Sequence, residues 1–83
     1  VTDSLIANGC EIRGEVENSI LFRGVKVAEG AKVKNAILMQ HAVIGKDAVI
    51  ENVICDKDVV VGEGKSLKGA DTYPIIVSKG ATI

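Results

Sequence analysis

A repeat of 17 residues constrains the fold of this chain more than any other feature of its sequence. The repeat is visible when the sequence is written in four lines, which begin at Cys10, Val27, Ile44 and Val61. Similar residues then share columns, and the clearest columns are Val16, Val33, Ile50 and Leu67; Ile20, Ile37 and Ile54; Leu21, Leu38 and Cys55; Asn18, Asn35, Asn52 and Gly69; and Glu17, Lys34, Glu51 and Lys68. A repeat of this kind is typical of stacked architectures in which each unit contacts only its neighbours.

Each line is built from shorter blocks of about six residues. A block has a branched aliphatic residue, a small residue, two polar or Gly positions, another small residue and a variable one, as in 27–32 and 44–49. Three blocks, one of them a residue short, predict three short strands per coil, stacked in parallel on the next coil at about 4.8 Å. The aliphatic residues and the small fifth residues then point inward. The sequence therefore predicts an all-β fold, a single-stranded parallel β-helix (a hexapeptide-repeat solenoid) of about four coils.

The composition agrees with this fold and narrows the function. Hydrophobic residues make up 47% of the chain and aromatic residues 2%, so Val, Ile, Ala and Leu supply the core; β-branched side chains suit short strands. A net charge of −1 argues against a nucleic-acid partner that depends on positive charge. The longest apolar run, 59–61, is far below the roughly 20 residues of a membrane span. Two cysteines form no disulfide framework, which predicts a cytoplasmic location.

Two columns predict details of the coil. Asn tolerates positive φ and Gly adopts it freely, so the column that ends in Gly69 predicts a corner with left-handed backbone and stacked amides. The alternative is that Asn is simply a common turn residue. The charged column alternates in sign between lines, which would place opposite charges on neighbouring strands and help to set the register.

The repeat ends before the chain does. We predict coils over residues 1–70, and a terminal turn and capping strand of the same domain over 71–83, because Asp71–Pro74 interrupts the pattern and Pro is excluded from central strands. Such a tail covers the last coil or contacts another subunit. Since the first residue is Val1, we expect the chain to be processed or to derive from a larger protein.

The blocks resemble the hexapeptide-repeat family, which forms a left-handed parallel β-helix and thus departs from the usual right-handed crossover. Within that family, Asn8–Leu21, Gly30–Met39 and Tyr73–Gly80 are similar to the C-terminal domain of bacterial glucose-1-phosphate adenylyltransferase (ADP-glucose pyrophosphorylase). The Tyr-Pro ending and Leu38–Gln40 favour the glycogen-biosynthesis paralogue that accompanies the catalytic subunit.

This resemblance implies a parent protein that makes ADP-glucose and pyrophosphate from ATP and glucose 1-phosphate, with Mg²⁺ and ATP bound in an N-terminal catalytic domain that is absent here. The chain itself is then a non-catalytic domain without a cofactor. Its implied partners are that catalytic domain, other subunits of a homo- or hetero-oligomer, and a sugar-phosphate regulator, with no nucleic acid and no membrane. The resemblance assigns no catalytic, cofactor-binding or metal-binding residue to this chain.

His41 supports an alternative function, a small hexapeptide-repeat acyltransferase in which this residue is the general base. It shares a column with Gly24 and Asp58, however, which predicts a solvent-facing corner of the coil. The carbonic anhydrases of this fold use three His ligands for their metal, and this chain has one His.

The other candidate sites have simpler interpretations. The stretch 62–66 (GEGKS) resembles a phosphate-binding loop, but Val59 occupies the position of the required first Gly, so we interpret it as one more block. Cys10 and Cys55 fall at inward positions and are predicted to lie in the core. Five basic residues of the first half of the chain either meet a phosphorylated regulator or, as the interleaved acidic residues favour, form a solvated face: Arg13, Arg23, Lys26, Lys32 and Lys34.

Overall fold

The computed structural model describes residues 4–70, 72 and 74–83, and every regular element in these residues is a β-strand. Short strands of two or three residues are separated by tight turns, as the six-residue blocks predict. The strands are β1 (Leu5–Ile6), β2 (Glu11–Ile12), β3 (Glu15–Glu17), β4 (Ile20–Leu21), β5 (Lys26–Val27), β6 (Lys32–Lys34), β7 (Ile37–Leu38), β8 (Val43–Ile44), β9 (Val49–Glu51), β10 (Val53–Cys55), β11 (Val60–Val61), β12 (Ser66–Lys68) and β13 (Ile75–Val77).

The strands form three parallel sheets in which neighbours are one coil apart along the chain. Their orders are β1-β4-β7-β10-β13, β11-β8-β5-β2 and β12-β9-β6-β3. Each coil contributes one strand to each sheet, so the chain winds as a three-sided β-solenoid of about four turns, with its strand hydrogen bonds running between coils. The predicted parallel solenoid is confirmed.

The register confirms the 17-residue period in the middle of the chain and corrects it at the start. Val16 pairs with Val33, and Val33 pairs with Ile50. In the first coil, however, Ile12 pairs with Val27, an offset of 15 residues. The alignment of Cys10 with Val27 is therefore wrong. The cause is local: only two residues separate β2 from β3, whereas four separate β5 from β6.

The last coil is longer than the others. Val53 pairs with Ile75, an offset of 22 residues, which places five additional residues between β12 and β13. Of the interruption predicted at 71–74, Asp71 and Tyr73 lie outside the described residues. After it, β13 forms the edge of the five-stranded sheet, and Thr82 makes a parallel bridge with Val60.

The interior is filled by rows of aliphatic side chains that lie over one another. The row of Val16, Val33 and Ile50 is at most 2% exposed, and Leu67 continues it half-buried. Two further rows are Leu21, Leu38, Cys55 and Val77; and Val27, Ile44 and Val61. Burying each Val, Leu or Ile side chain contributes about 1.5–3 kcal/mol, so these rows are the main source of stability.

One polar side chain is buried with them, and its hydrogen bonds are satisfied. Ser19 is 3% exposed; its hydroxyl donates to the carbonyl oxygen of Glu17 at 2.8 Å and accepts from the backbone nitrogen of Ala36 at 3.1 Å. The hydroxyl thus links two coils at a corner, where a strand hydrogen bond is not available.

Candidate functional site

The asparagine corner is confirmed for its three asparagines. Asn18, Asn35 and Asn52 have φ angles of 49°, 51° and 54°, and the side-chain amide of Asn18 donates to the side-chain oxygen of Asn35 at 2.6 Å. The corner ladder is a structural feature, since Asn is one of the few residues that adopt left-handed backbone at low cost.

Gly69 does not share this conformation, and the prediction for that residue is wrong. Its φ is outside the left-handed region. Glycine is needed there for another reason: a Cβ atom on Gly69 would overlap the carbonyl oxygen of Asn52 and lie 2.8 Å from the backbone nitrogen of Ile75. The close approach follows from the lengthened last coil, which brings the chain back across Gly69.

The charged column lies on the outer face of the sheet β12-β9-β6-β3. Glu17 pairs with Lys34, and Glu51 pairs with Lys34 on its other side and with Lys68. Opposite charges therefore alternate along the face, as predicted. Because their signs cancel between neighbours, this face has no single-sign field that would attract a charged ligand.

The five basic residues do not meet in one site. Lys32 and Lys34 belong to β6 on the charged face, whereas Lys26 lies on β5 and lines a shallow groove with Arg13. Arg23 lies at the border of the third sheet. The described residues therefore favour solvated basic side chains on three faces.

His41 occupies an exposed corner, where we expected it. Its φ is 63°, its backbone nitrogen donates to the carbonyl oxygen of Arg23 at 3.0 Å, and its ring lies over Gly24 of the previous coil. Asp58 has the same left-handed conformation one coil later. The position of His41 is thus accounted for by the turn.

The remaining candidate sites also have structural roles. Residues 62–66 connect β11 to β12 by a turn and enter a strand, so the helix that a phosphate-binding loop requires is replaced by β12. Cys55 is fully buried, and burial raises the pKa of its thiol to about 11. Cys10 packs half-buried against the core, and its thiol donates to the carbonyl oxygen of Phe22 at 3.0 Å. The inward prediction is confirmed for both cysteines.

The most distinctive surface lies on the outer face of the sheet β1-β4-β7-β10-β13. We call it the apolar stripe: Leu5, Ile20, Ile37, Ile54 and Ile76. Leu5 is 71% exposed, Ile20 40% and Ile76 73%, and Ile37 and Ile54 between them are partly exposed. The stripe thus places one aliphatic side chain per strand on the surface, across the whole width of the sheet.

Sequence reasoning missed the orientation of this stripe, although a signal was present. Ile20, Ile37 and Ile54 each directly precede a member of the buried row Leu21, Leu38 and Cys55. Successive side chains of a strand point to opposite faces, so one of the two adjacent aliphatic columns had to face outward.

Two general surveys complete the description. Within residues 4–70, 72 and 74–83, we find no group of three or more His, Cys, Asp or Glu side chains that could hold a metal ion. In the same part of the chain, no helix has the length and apolar character needed to cross a membrane.

Comparison with known proteins gives consistent results. The family described as GlmU-like, C-terminal hexapeptide matches residues 1–73. The chain is 72% identical over 80 residues to the glycogen biosynthesis protein GlgD of Geobacillus stearothermophilus, which covers 96% of this chain and 23% of that protein.

Shorter matches connect the chain to two further proteins. It is 61% identical over 33 residues to GlgD of Bacillus subtilis, 40% of this chain and 10% of that protein. It is also 61% identical over 33 residues to glucose-1-phosphate adenylyltransferase of Bacillus cytotoxicus, 40% of this chain and 9% of that protein. The chain thus spans less than a quarter of the length of each of these relatives. No solved structure matches the chain.

Proposed function

Because the chain belongs to the GlmU-like C-terminal hexapeptide family, we propose that it is a non-catalytic domain of a glucose-1-phosphate adenylyltransferase-like protein of glycogen biosynthesis. The observation that carries this proposal is the 72% identity to GlgD over 96% of the chain. The chain matches only 23% of that relative, so the function assigned to the domain is a contribution to a larger protein.

In this proposal, the parent protein works in the cytoplasm, and its nucleotide-binding domain binds ATP, Mg²⁺ and glucose 1-phosphate and forms ADP-glucose and pyrophosphate. The solenoid contributes to the assembly of subunits, contacts the catalytic domain, and helps to bind a sugar-phosphate regulator. Its packing supports a mechanical role: the interior is occupied by buried rows such as Val33 and Ile50, and strands of successive coils hold their outward side chains at a constant spacing.

The first experiment tests the absence of catalysis by this chain. The pure 83-residue chain is incubated with ATP, glucose 1-phosphate and Mg²⁺, and pyrophosphate release is followed with a coupled assay. A glucose-1-phosphate adenylyltransferase serves as the positive control. We expect the signal of the buffer blank at every concentration of the chain, whereas turnover proportional to chain concentration contradicts the proposal.

The second experiment tests the assembly role in the longer protein that carries this domain. Ile54→Lys places a charge on the apolar stripe, and Val43→Lys places the same charge at an outward, partly exposed position of another sheet. We expect the first variant to reduce the oligomer mass measured by light scattering and the second to leave it unchanged. Equal masses for both variants and the parent contradict the assignment of assembly to this domain surface.

A further inference from the structure

We propose that the apolar stripe docks on the same stripe of a second copy of this domain, sheet against sheet, with the two solenoid axes aligned. This inference rests on the proposed assembly role and adds the surface and the partner. It concerns the residues of one outer face only, and the catalytic activity of the parent protein does not enter it.

Exposure and charge select this face among the three. Leu5 and Ile76, at its two ends, are 71% and 73% exposed, which is unusual for aliphatic side chains on adjacent strands of one sheet. The stripe itself contains only Leu and Ile, so contact with an identical stripe brings no like charges together. The other two sheets place charged residues outward on their strands, for example Lys26 and Lys34.

The spacing of the stripe favours a second copy over an unrelated partner. The five side chains lie on five hydrogen-bonded strands, so they form ridges about 4.8 Å apart. An identical stripe has the same spacing, and its ridges fit between those of the first when the solenoid axes are aligned, as in the dry interfaces of stacked sheets. A globular surface without this period matches one or two ridges at most.

The size of the stripe predicts a weak dimer. Four strand spacings separate Leu5 from Ile76 along the sheet, a span of about 19 Å. Phe22, 38% exposed, widens the apolar surface at one side. The contact remains below the area of standard stable interfaces, so we expect dissociation constants of roughly 10 µM to 1 mM for the isolated chain.

The test is sedimentation equilibrium of the 83-residue chain between 10 µM and 2 mM (roughly the range that brackets the expected constants). Ile20→Lys is compared with Val60→Lys, because these outward residues are almost equally exposed, 40% and 38%, and lie on different sheets. Circular dichroism establishes that each variant is folded. Ile76→Lys, at the most exposed position of the stripe, replaces Ile20→Lys if that variant is unfolded.

We expect a monomer–dimer equilibrium for the parent chain, a dissociation constant raised at least tenfold by the stripe variant, and a change below about twofold for Val60→Lys. A parent chain that remains monomeric at 2 mM overturns the inference, as does an equal effect of both substitutions. If the isolated chain is monomeric while the longer protein still loses assembly on Ile54→Lys, self-docking is wrong and the assembly role stands, with another part of that protein covering the stripe.

The orientation of the two copies can be determined in the same system. In a Cys10→Ala background, Leu5→Cys and Ile76→Cys are treated with a short bis-maleimide. Cross-linking of Leu5→Cys to itself indicates parallel solenoids, and cross-linking only in the mixture of the two variants indicates antiparallel solenoids. Both results support the inference, and the absence of any cross-linked dimer overturns it.

Discussion

Replacing Gly69 by Asn is the most informative single substitution, because sequence and structure predict opposite results for it. Asn occupies the equivalent column position in the three preceding coils, so Gly69→Asn restores the consensus of the repeat. In the structure, a Cβ at this position overlaps the carbonyl oxygen of Asn52 and approaches the backbone nitrogen of Ile75 to 2.8 Å and Cα of Pro74 to 3.1 Å. All three obstacles are backbone or ring atoms, which cannot rotate away.

The expected cost follows from these contacts. Forcing additional atoms into a close-packed region costs about 1–3 kcal/mol. The hydrogen bond from the Asn52 side-chain amide to the carbonyl oxygen of Gly69, 3.1 Å long, is also displaced when β12 moves away from the last coil. In a domain of 60–100 residues, each kcal/mol lowers the melting temperature by about 4–8 °C. We therefore expect a decrease of at least about 4 °C for Gly69→Asn.

Thermal unfolding followed by circular dichroism measures this difference. Asn35→Gly is the matched control, because it exchanges the same two residue types at a corner where φ is 51° and glycine is accommodated without strain. It should change the melting temperature by less than Gly69→Asn does. The reasoning is refuted if Gly69→Asn melts at or above the temperature of the parent chain.

Three further predictions concern stability. Ile50→Ala removes a fully buried side chain from the central row and should cost about 2–5 kcal/mol in urea unfolding, whereas Ile54→Ala, on the outer face, should cost clearly less; equal costs contradict the assigned faces. Asn35→Ala forces a poorly suited residue into left-handed backbone and removes the acceptor of the Asn18 amide, so we expect a loss of about 1–2 kcal/mol, larger than for Asn35→Gly in the same assay. Burial raises the pKa of Cys55 from 9.0 to about 11, so the folded state retains this proton more tightly than the unfolded state. The corresponding stability is complete below pH 9.0 and is lost as the pH rises towards about 11; Cys55→Val should show a smaller decrease over that range in urea titrations, and parallel profiles contradict the buried thiol.

The sequence predicts the core of the fold well, because one physical rule governs it. A repeat that stacks on itself must place equivalent residues over one another, so the row of Val16, Val33 and Ile50 follows from the period alone. The errors occur where the number of residues per coil changes. The short turn at Arg13–Gly14 and the insertion before Ile75 alter the offset between coils without altering the local residue pattern.

The surface was less predictable than the core. The rule that two adjacent aliphatic columns cannot both face inward places Ile20 and Ile37 outside, but it does not say that Leu5 and Ile76 extend the stripe, since their offsets depend on the irregular first and last coils. Gly69 illustrates the same limit. Its neighbours come from the insertion, and a column of equivalent residues contains no information about a segment that interrupts the repeat.

The central claim, that coils of unequal length stack in this register, is tested most directly by methyl–methyl contacts in a nuclear Overhauser spectrum of the chain. We expect contacts between Val33 and Ile50 in the regular coils, between Ile12 and Val27 at the start, and between Cys55 β-protons and Val77 at the end. Contacts from Cys10 to Val27 in place of those from Ile12, or no contacts between successive coils, would contradict the account.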